Sequence, residues 1–200
     1  DSIISNISKA DAPARHQLLV FYPSRTAQLG SLIGEDVDFQ WDLLCDVFEK
    51  LVCDIARGHP NLPIVIKSKQ REMHLIGKEL HEISNVSITY SHSSIGLVKA
   101  SSLCLGFNST ALIESAAQGL ESINCCFGEA ARSKHQGWII EFGSLAKSIT
   151  DPQDGLRIVE EILSQSPRRA PLPSSEKEDL DRLVGNSDGK CKERILSFFQ

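Results

Sequence analysis

The chain lacks the features that would place it in a membrane or on a nucleic acid. No apolar run approaches the length of a membrane span, and no signal-peptide pattern opens the sequence. A basic stripe is missing too: 26 acidic against 21 basic residues give a formal net charge of -5. That balance argues against nucleic-acid binding. The six cysteines, Cys45, Cys53, Cys104, Cys125, Cys126 and Cys191, form no C-x-x-C pair. The first five fall in apolar helix or strand patterns, so they read as small buried hydrophobes of a reduced, cytosolic protein, with neither zinc nor disulfide implied. His16, His59, His74, His81 and His135 show no metal-ligand spacing. The first residue is Asp1 rather than Met, so the chain is expected to be a piece of a longer protein.

What is present is alternation. Residues 1–15 show no sustained period and read as a leader or linker. Residues 16–22 form a first strand stopped by Pro23, and after a loop, Trp41, Leu44, Cys45, Phe48, Leu51, Val52 and Ile55 repeat at helical spacing. Strand 62–67, helix 71–83, strand 85–90, a short helix ending near Ala100, strand 103–107, helix 110–118 and strand 122–127 follow. Residues 138–142 and 145–149 are weaker strand candidates. Asp151-Pro152 opens a further helix. A proline-bearing linker at 167–175 leads to two tail helices, 176–184 and 190–199. Strands alternating with helices predict an α/β fold, a parallel Rossmann-like sheet with helices on both faces. The expected organisation is one such domain over 16–165, with 166–200 a linker and helices packing on it or on a missing domain.

The centre of interest is Leu103-Cys-Leu-Gly-Phe-Asn-Ser-Thr110. A short apolar strand runs straight into Asn108-Ser109-Thr110, whose oxygens can cap a starting helix that ends at Gly119. Free amides at such a start favour an anion. Glu114 lies one turn on and leans back toward that start, where a carboxylate would meet sugar hydroxyls rather than phosphate. The competing reading is an ordinary helix cap and a solvated acid.

Position in the fold favours the site. Ser24 and Arg25, Lys67 and Lys69, His92 and Ser94, Asn108 to Thr110, and Glu129 all follow strand ends. In an open parallel sheet the ligand crevice lies along that edge, where strand order reverses. With the common order 3-2-1-4-5 the reversal falls between strands one and four, so Arg25 and the Asn108-Ser109-Thr110 turn would flank one crevice. Each residue also has an ordinary reading: a loop arginine for Arg25, a solvated pair for Lys67 and Lys69, a structural hydrogen bond for His92. Asp36-Val-Asp38 has the shape of a metal-binding D-x-D but follows no strand. Pro23-Ser24-Arg25 stands where a phosphoacceptor receiver domain would carry acids.

Gly106-Phe-Asn-Ser-Thr-Ala-Leu-Ile-Glu-Ser-Ala-Ala-Gln-Gly119 between two strands resembles the C-terminal, nucleotide-binding half of GT-B glycosyltransferases, closest to those of bacterial capsule and lipopolysaccharide synthesis. The tail Gly185-Asn-Ser-Asp-Gly-Lys-Cys-Lys-Glu-Arg-Ile195 is similar to an ending found in such proteins. The resemblance implies that Asn108, Ser109 and Thr110 face the donor phosphate and that Glu114 holds the ribose. It implies a metal-independent transferase with a nucleotide-sugar as substrate, no cofactor, and a polysaccharide or lipid-linked glycan as acceptor. It further implies a cytoplasmic place, at most peripheral to the inner face of the membrane. Two departures stand out. Many relatives carry Lys-Pro-His where this chain has Lys67-Ser68-Lys69, and the N-terminal acceptor-binding domain, which often holds the catalytic base, is absent from these residues. The catalytic residues are therefore unknown. The alternatives are a nucleotide-sugar 2-epimerase and a non-catalytic module that binds a nucleotide or a partner.

Overall fold

The computed structural model describes residues 17–25, 39–132, 137, 139–164 and 174–185. Four readings lie largely or wholly outside them: the leader at 1–15, Asp36-Val-Asp38, the linker before the tail and the helix 190–199.

Six parallel strands form one sheet in the order β3-β2-β1-β4-β5-β6. They are β1 (Leu18–Phe21), β2 (Ile64–Lys67), β3 (Val86–Thr89), β4 (Leu103–Gly106), β5 (Glu121–Cys125) and β6 (Lys147–Ile149). The expected order 3-2-1-4-5 holds, and the candidate strand at 145–149 extends it by one. β1 is apolar throughout because both faces are covered. Leu18 and Val20 pack with Phe48, Leu51 and Ile55 of α1 (Trp41–Gly58) and Ile158 and Val159 of α5 (Pro152–Ser164). Leu19 and Phe21 point the other way, toward Leu97 and Val98 of α3 (Ser94–Ala100) and Leu112 and Ile113 of α4 (Thr110–Ala116). That second face also takes Leu180 of α6 (Ser174–Val184), which is 5% exposed. The five described cysteines are free and buried.

Three segments differ from expectation. The helix expected over 71–83 is a 3₁₀ turn (Gln70–Leu75) and a short α2 (Lys78–Glu82). Ile76 between them is extended, with ψ 133°, and turns into the core at 4% exposure. At Gly77, just past the break, a β-carbon would meet the Glu49 carboxylate from α1, a close approach between distant positions that local periodicity does not register. Residues 139–142 form no strand; the Ile140 amide donates instead to Asn108 Oδ1 at 2.7 Å. Finally, α4 stops at Ala116 rather than 118, but Gly119 still closes it in the left-handed region, with φ 76°.

Candidate functional site

Parallel pairing fixes where the loops meet. Val20 of β1 lies in register with Leu105 of β4, so the chain leaves both strands at one level, side by side. This is the point at which sheet order reverses. Beyond it stand Pro23-Ser24-Arg25 on one side and Asn108-Ser109-Thr110 on the other. Lys67, Lys69 and His92 follow β2 and β3 further along the same edge.

The turn after β4 is built from below by aromatic packing. Phe107 stacks on Phe39 at 6.2 Å, and Trp41 meets both rings from the start of α1. Above this layer the backbone reverses through Asn108, with φ 46°. Non-glycine residues seldom adopt this region, and asparagine does so more readily than most. The turn is tied on two sides. The Asn108 amide donates to Oδ1 of Asn124 at 2.9 Å, while Asn108 Oδ1 accepts from Ile140. Ser109 is the N-cap of α4, its hydroxyl accepting from the Ala111 amide at 3.3 Å. The amides of Ser109 and Thr110 precede the first intrahelical donor, so the helix itself offers them no acceptor. With seven residues, α4 is short, and its dipole is correspondingly weaker than a longer helix would supply. The turn's own amides and hydroxyls are the groups on offer to a ligand. Glu114 is half-buried on α4 and makes no hydrogen bond or ion pair among the described residues.

Arg25 is already engaged. Its Nε donates to the Tyr22 hydroxyl at 3.0 Å, Nη1 lies 3.4 Å from Asp42, and Nη2 donates to Asp46 at 2.7 Å and Glu49 at 2.9 Å. Burial opposes its charge, but the bonds to Glu49 and Asp46 outweigh it and hold the guanidinium's pKa above the ordinary arginine value. Tyr22 is pushed far above the usual tyrosine range, first by burial and then by the bond it donates to Glu49. Ser24 donates to Glu72 at 2.6 Å.

The other candidates divide between tethered and open groups. Lys67 Nζ donates to the Tyr90 and His92 carbonyls, stapling the end of β2 to the loop after β3. His92 Nδ1 shares a 2.6 Å hydrogen bond with Thr89 Oγ1. Ser94 opens α3 and is half-buried. Lys69 is exposed and has no side-chain partner among the described residues. The edge thus gathers all these positions in one row, but only the Ser24–Arg25 and Asn108–Thr110 loops lie at the reversal itself.

Three contributors were not singled out in the sequence. Asn124 is a lone polar residue in the apolar run Ile123-Asn-Cys-Cys-Phe127, and that exception was a readable signal. Glu72 is a carboxylate at 1% exposure that accepts from Ser24, hidden by the expectation of a continuous helix over 71–83. Glu49 lies off the apolar stripe of α1 in the sequence, yet its side chain is only 13% exposed.

No protein-family model and no curated protein matches the chain. Solved structures do. UDP-GlcNAc 2-epimerase from Neisseria meningitidis, bound to UDP-GlcNAc, aligns with 92% of this chain and 44% of its own at 12% identity and a TM-score of 0.57. The spinosyn rhamnosyltransferase SpnG aligns with 94% of this chain and 46% of its own, at 10% identity and a TM-score of 0.55. A glycotransferase of kitacinnamycin gives 96% and 44%, at 16% identity and a TM-score of 0.52. This chain therefore spans less than half the length of each of these three, and over that part it shares their fold, a Rossmann-like α/β fold.

Proposed function

We propose that the chain is the donor-binding half of a GT-B-type glycosyltransferase that moves a sugar from a nucleotide-sugar to a surface polysaccharide or lipopolysaccharide acceptor. The observation that carries this is the reversal of sheet order between β1 and β4, with a braced left-handed turn directly above it. The likeness of fold to sugar-handling proteins supports it. In this reading the diphosphate sits against the Asn108-Ser109-Thr110 turn, on the amides and hydroxyls of Ser109 and Thr110, while the Asn108 amide stays bonded to Asn124, and Glu114 accepts from ribose hydroxyls. As the bond to the departing sugar breaks, negative charge grows on the terminal phosphate. Fixed donors that need no reorganisation stabilise that charge, as an oxyanion hole does. Lys69, exposed two residues beyond β2, is a cation available to the same charge. Arg25 braces the loop after β1; phosphate would reach it by displacing Asp42 or Asp46, whose side chains are 85% and 64% exposed. The acceptor and the catalytic base belong to the other half of the parent protein.

A second reading is nucleotide-sugar 2-epimerisation, favoured by the likeness to the Neisseria epimerase and by the buried Glu72, an acid at the crevice edge. The primary test is a thermal-shift screen against UDP, GDP, CMP, CDP and ADP. Ligand at a hundred times its dissociation constant stabilises the native state by about 2.7 kcal/mol. Failure of all five to raise the melting temperature overturns nucleotide binding. Incubating the full-length protein with a nucleotide-sugar, with and without glycan acceptor, then separates transfer from epimerisation.

A further inference from the structure

Asn124 is completely buried in the sheet, between Ile123 and Cys125, which are themselves buried. A carboxamide is costly there unless each of its groups finds a partner. All of them do. Asn124 lies in register with Gly106, the last residue of β4, on one side and with Ser148 of β6 on the other. Its Nδ2 donates to Ser148 Oγ at 3.2 Å and to Cys126 Sγ at 3.1 Å, which anchors the amide plane. Its Oδ1 then accepts the Asn108 amide at 2.9 Å, two residues past the end of β4. Asn108 passes the restraint on, accepting from Ile140 at 2.7 Å. The series Ser148, Asn124, Asn108, Ile140 ties β6, β5, the turn after β4 and the segment before β6 into one frame.

We propose that Asn124 is a positioning residue for phosphate recognition: it holds Asn108 in the left-handed conformation that presents Ser109 and Thr110 to the ligand. This rests on the nucleotide-binding reading above. An unrestrained Asn108 would relax toward the commoner negative-φ regions, reorienting the two amides that follow it. Binding would then carry the cost of reordering the turn, which preorganisation removes. Because Asn124 touches the turn and not the ligand, its loss should fall on the phosphate part of the nucleotide alone.

The test measures affinity of the full-length protein for UDP, GDP, CDP and ADP and for the matching nucleosides. It compares wild type with Asn124→Ser, which shortens the acceptor arm, and Ser148→Ala, which removes one anchor of the amide plane. Ser148 is exposed, so this second variant opens no core cavity. For whichever diphosphate binds, Asn124→Ser is expected to weaken it about tenfold, or about 1.4 kcal/mol. Ser148→Ala should weaken it a few-fold, and nucleoside affinity should stay within about twofold for both. Equal losses for diphosphate and nucleoside, or no loss in either, overturn the positioning role. If Asn124→Ser does not fold, unchanged diphosphate affinity in Ser148→Ala overturns it alone. If wild type binds none of the four diphosphates, the nucleotide reading itself falls, and this inference with it.

Discussion

Arg25 and Glu49 meet across 2.9 Å, an arginine from the loop after β1 and a carboxylate from the middle of α1, with side chains only 15% and 13% exposed. Tyr22 completes the contact, donating to Glu49 and accepting from Arg25. Breaking a largely buried pair leaves an uncompensated charge, and such losses run at about 3 kcal/mol or more. Arg25→Ala is therefore expected to lower unfolding free energy by about 3 kcal/mol. Arg25→Lys should recover little of it, since one ammonium does not reproduce a fork that reaches Tyr22, Asp46 and Glu49 together. Urea denaturation of the three proteins decides it. A loss below about 0.5 kcal/mol for the alanine variant, the level of an ordinary surface change, would show that Arg25 is free to serve a ligand.

The Arg25–Glu49 pair has no signature in the local sequence, unlike the elements it joins. Period-two and period-3.6 patterns are local, so β1, β2, β4 and the apolar stripe of α1 were legible. So was the cap at Ser109-Thr110, because capping is chemistry within a few residues. Parallel order followed from alternation and put the crevice at the β1–β4 reversal. The Glu49–Arg25 contact joins positions 24 apart, and Ile76 abandons its helix to fill a core gap; neither has a local signature. Asn124 is visible as a polar exception in an apolar strand, but its bond to Asn108, which the sequence marks as a cap and phosphate-facing residue, joins positions 16 apart and has no local signature.

The buried thiols predict a loss of stability in alkali. Burial pushes Cys45 up to about 12 and Cys53, Cys104 and Cys126 up to about 11, from an ordinary 9.0. Below pH about 8 the thiols are largely neutral in both folded and unfolded chains and contribute little pH dependence. Between about 9 and 11 the unfolded chain loses protons that the native state retains, so stability falls as pH rises. Each thiol contributes at most about 1.4 kcal/mol per pH unit. Denaturant midpoints at a series of pH values from 8 to 10.5 should be level at first and then decline. A midpoint flat to 10.5 would mean that the thiols are solvated. Alkylation at pH 8 should likewise proceed slowly until denaturant is added.

Docking of α6 depends on a contact that glycine permits. Asp179 accepts from the Ser144 amide at 2.6 Å and from its hydroxyl at 2.7 Å, and these bonds hold its carboxyl below the usual range. Gly143 has φ 59°, and a β-carbon there would strike the Asp179 carboxylate. Gly143→Ala combines backbone strain with that clash and is expected to detach α6, read as faster hydrogen exchange over 174–184. Since the Asp179 pKa is depressed on folding, its contribution is present above the ordinary carboxylate pKa. It is lost as pH falls through the folded value. Acidification should therefore raise exchange in α6 before it raises exchange in β1. Unchanged α6 protection in Gly143→Ala would remove Asp179 as its anchor.

Glu114 offers the sharpest test of where a nucleotide would lie. It sits one helical turn inside α4, half-buried, with its carboxylate uncommitted among the described residues. If the carboxylate accepts from ribose hydroxyls, Glu114→Ala forfeits a charged hydrogen bond worth roughly 1.5–3 kcal/mol. Nucleotide affinity should drop about ten- to a hundredfold, at 1.4 kcal/mol per decade. Fold stability should barely change, because alanine is the better helix former and no internal partner is lost. A 2′- or 3′-deoxynucleotide already lacks part of the contact, so it should lose much less on going from wild type to variant. Calorimetric titration of both proteins with ribo- and deoxyribonucleotides separates these outcomes. A variant that binds the ribonucleotide as tightly as wild type would place the sugar elsewhere and leave Glu114 a surface acid.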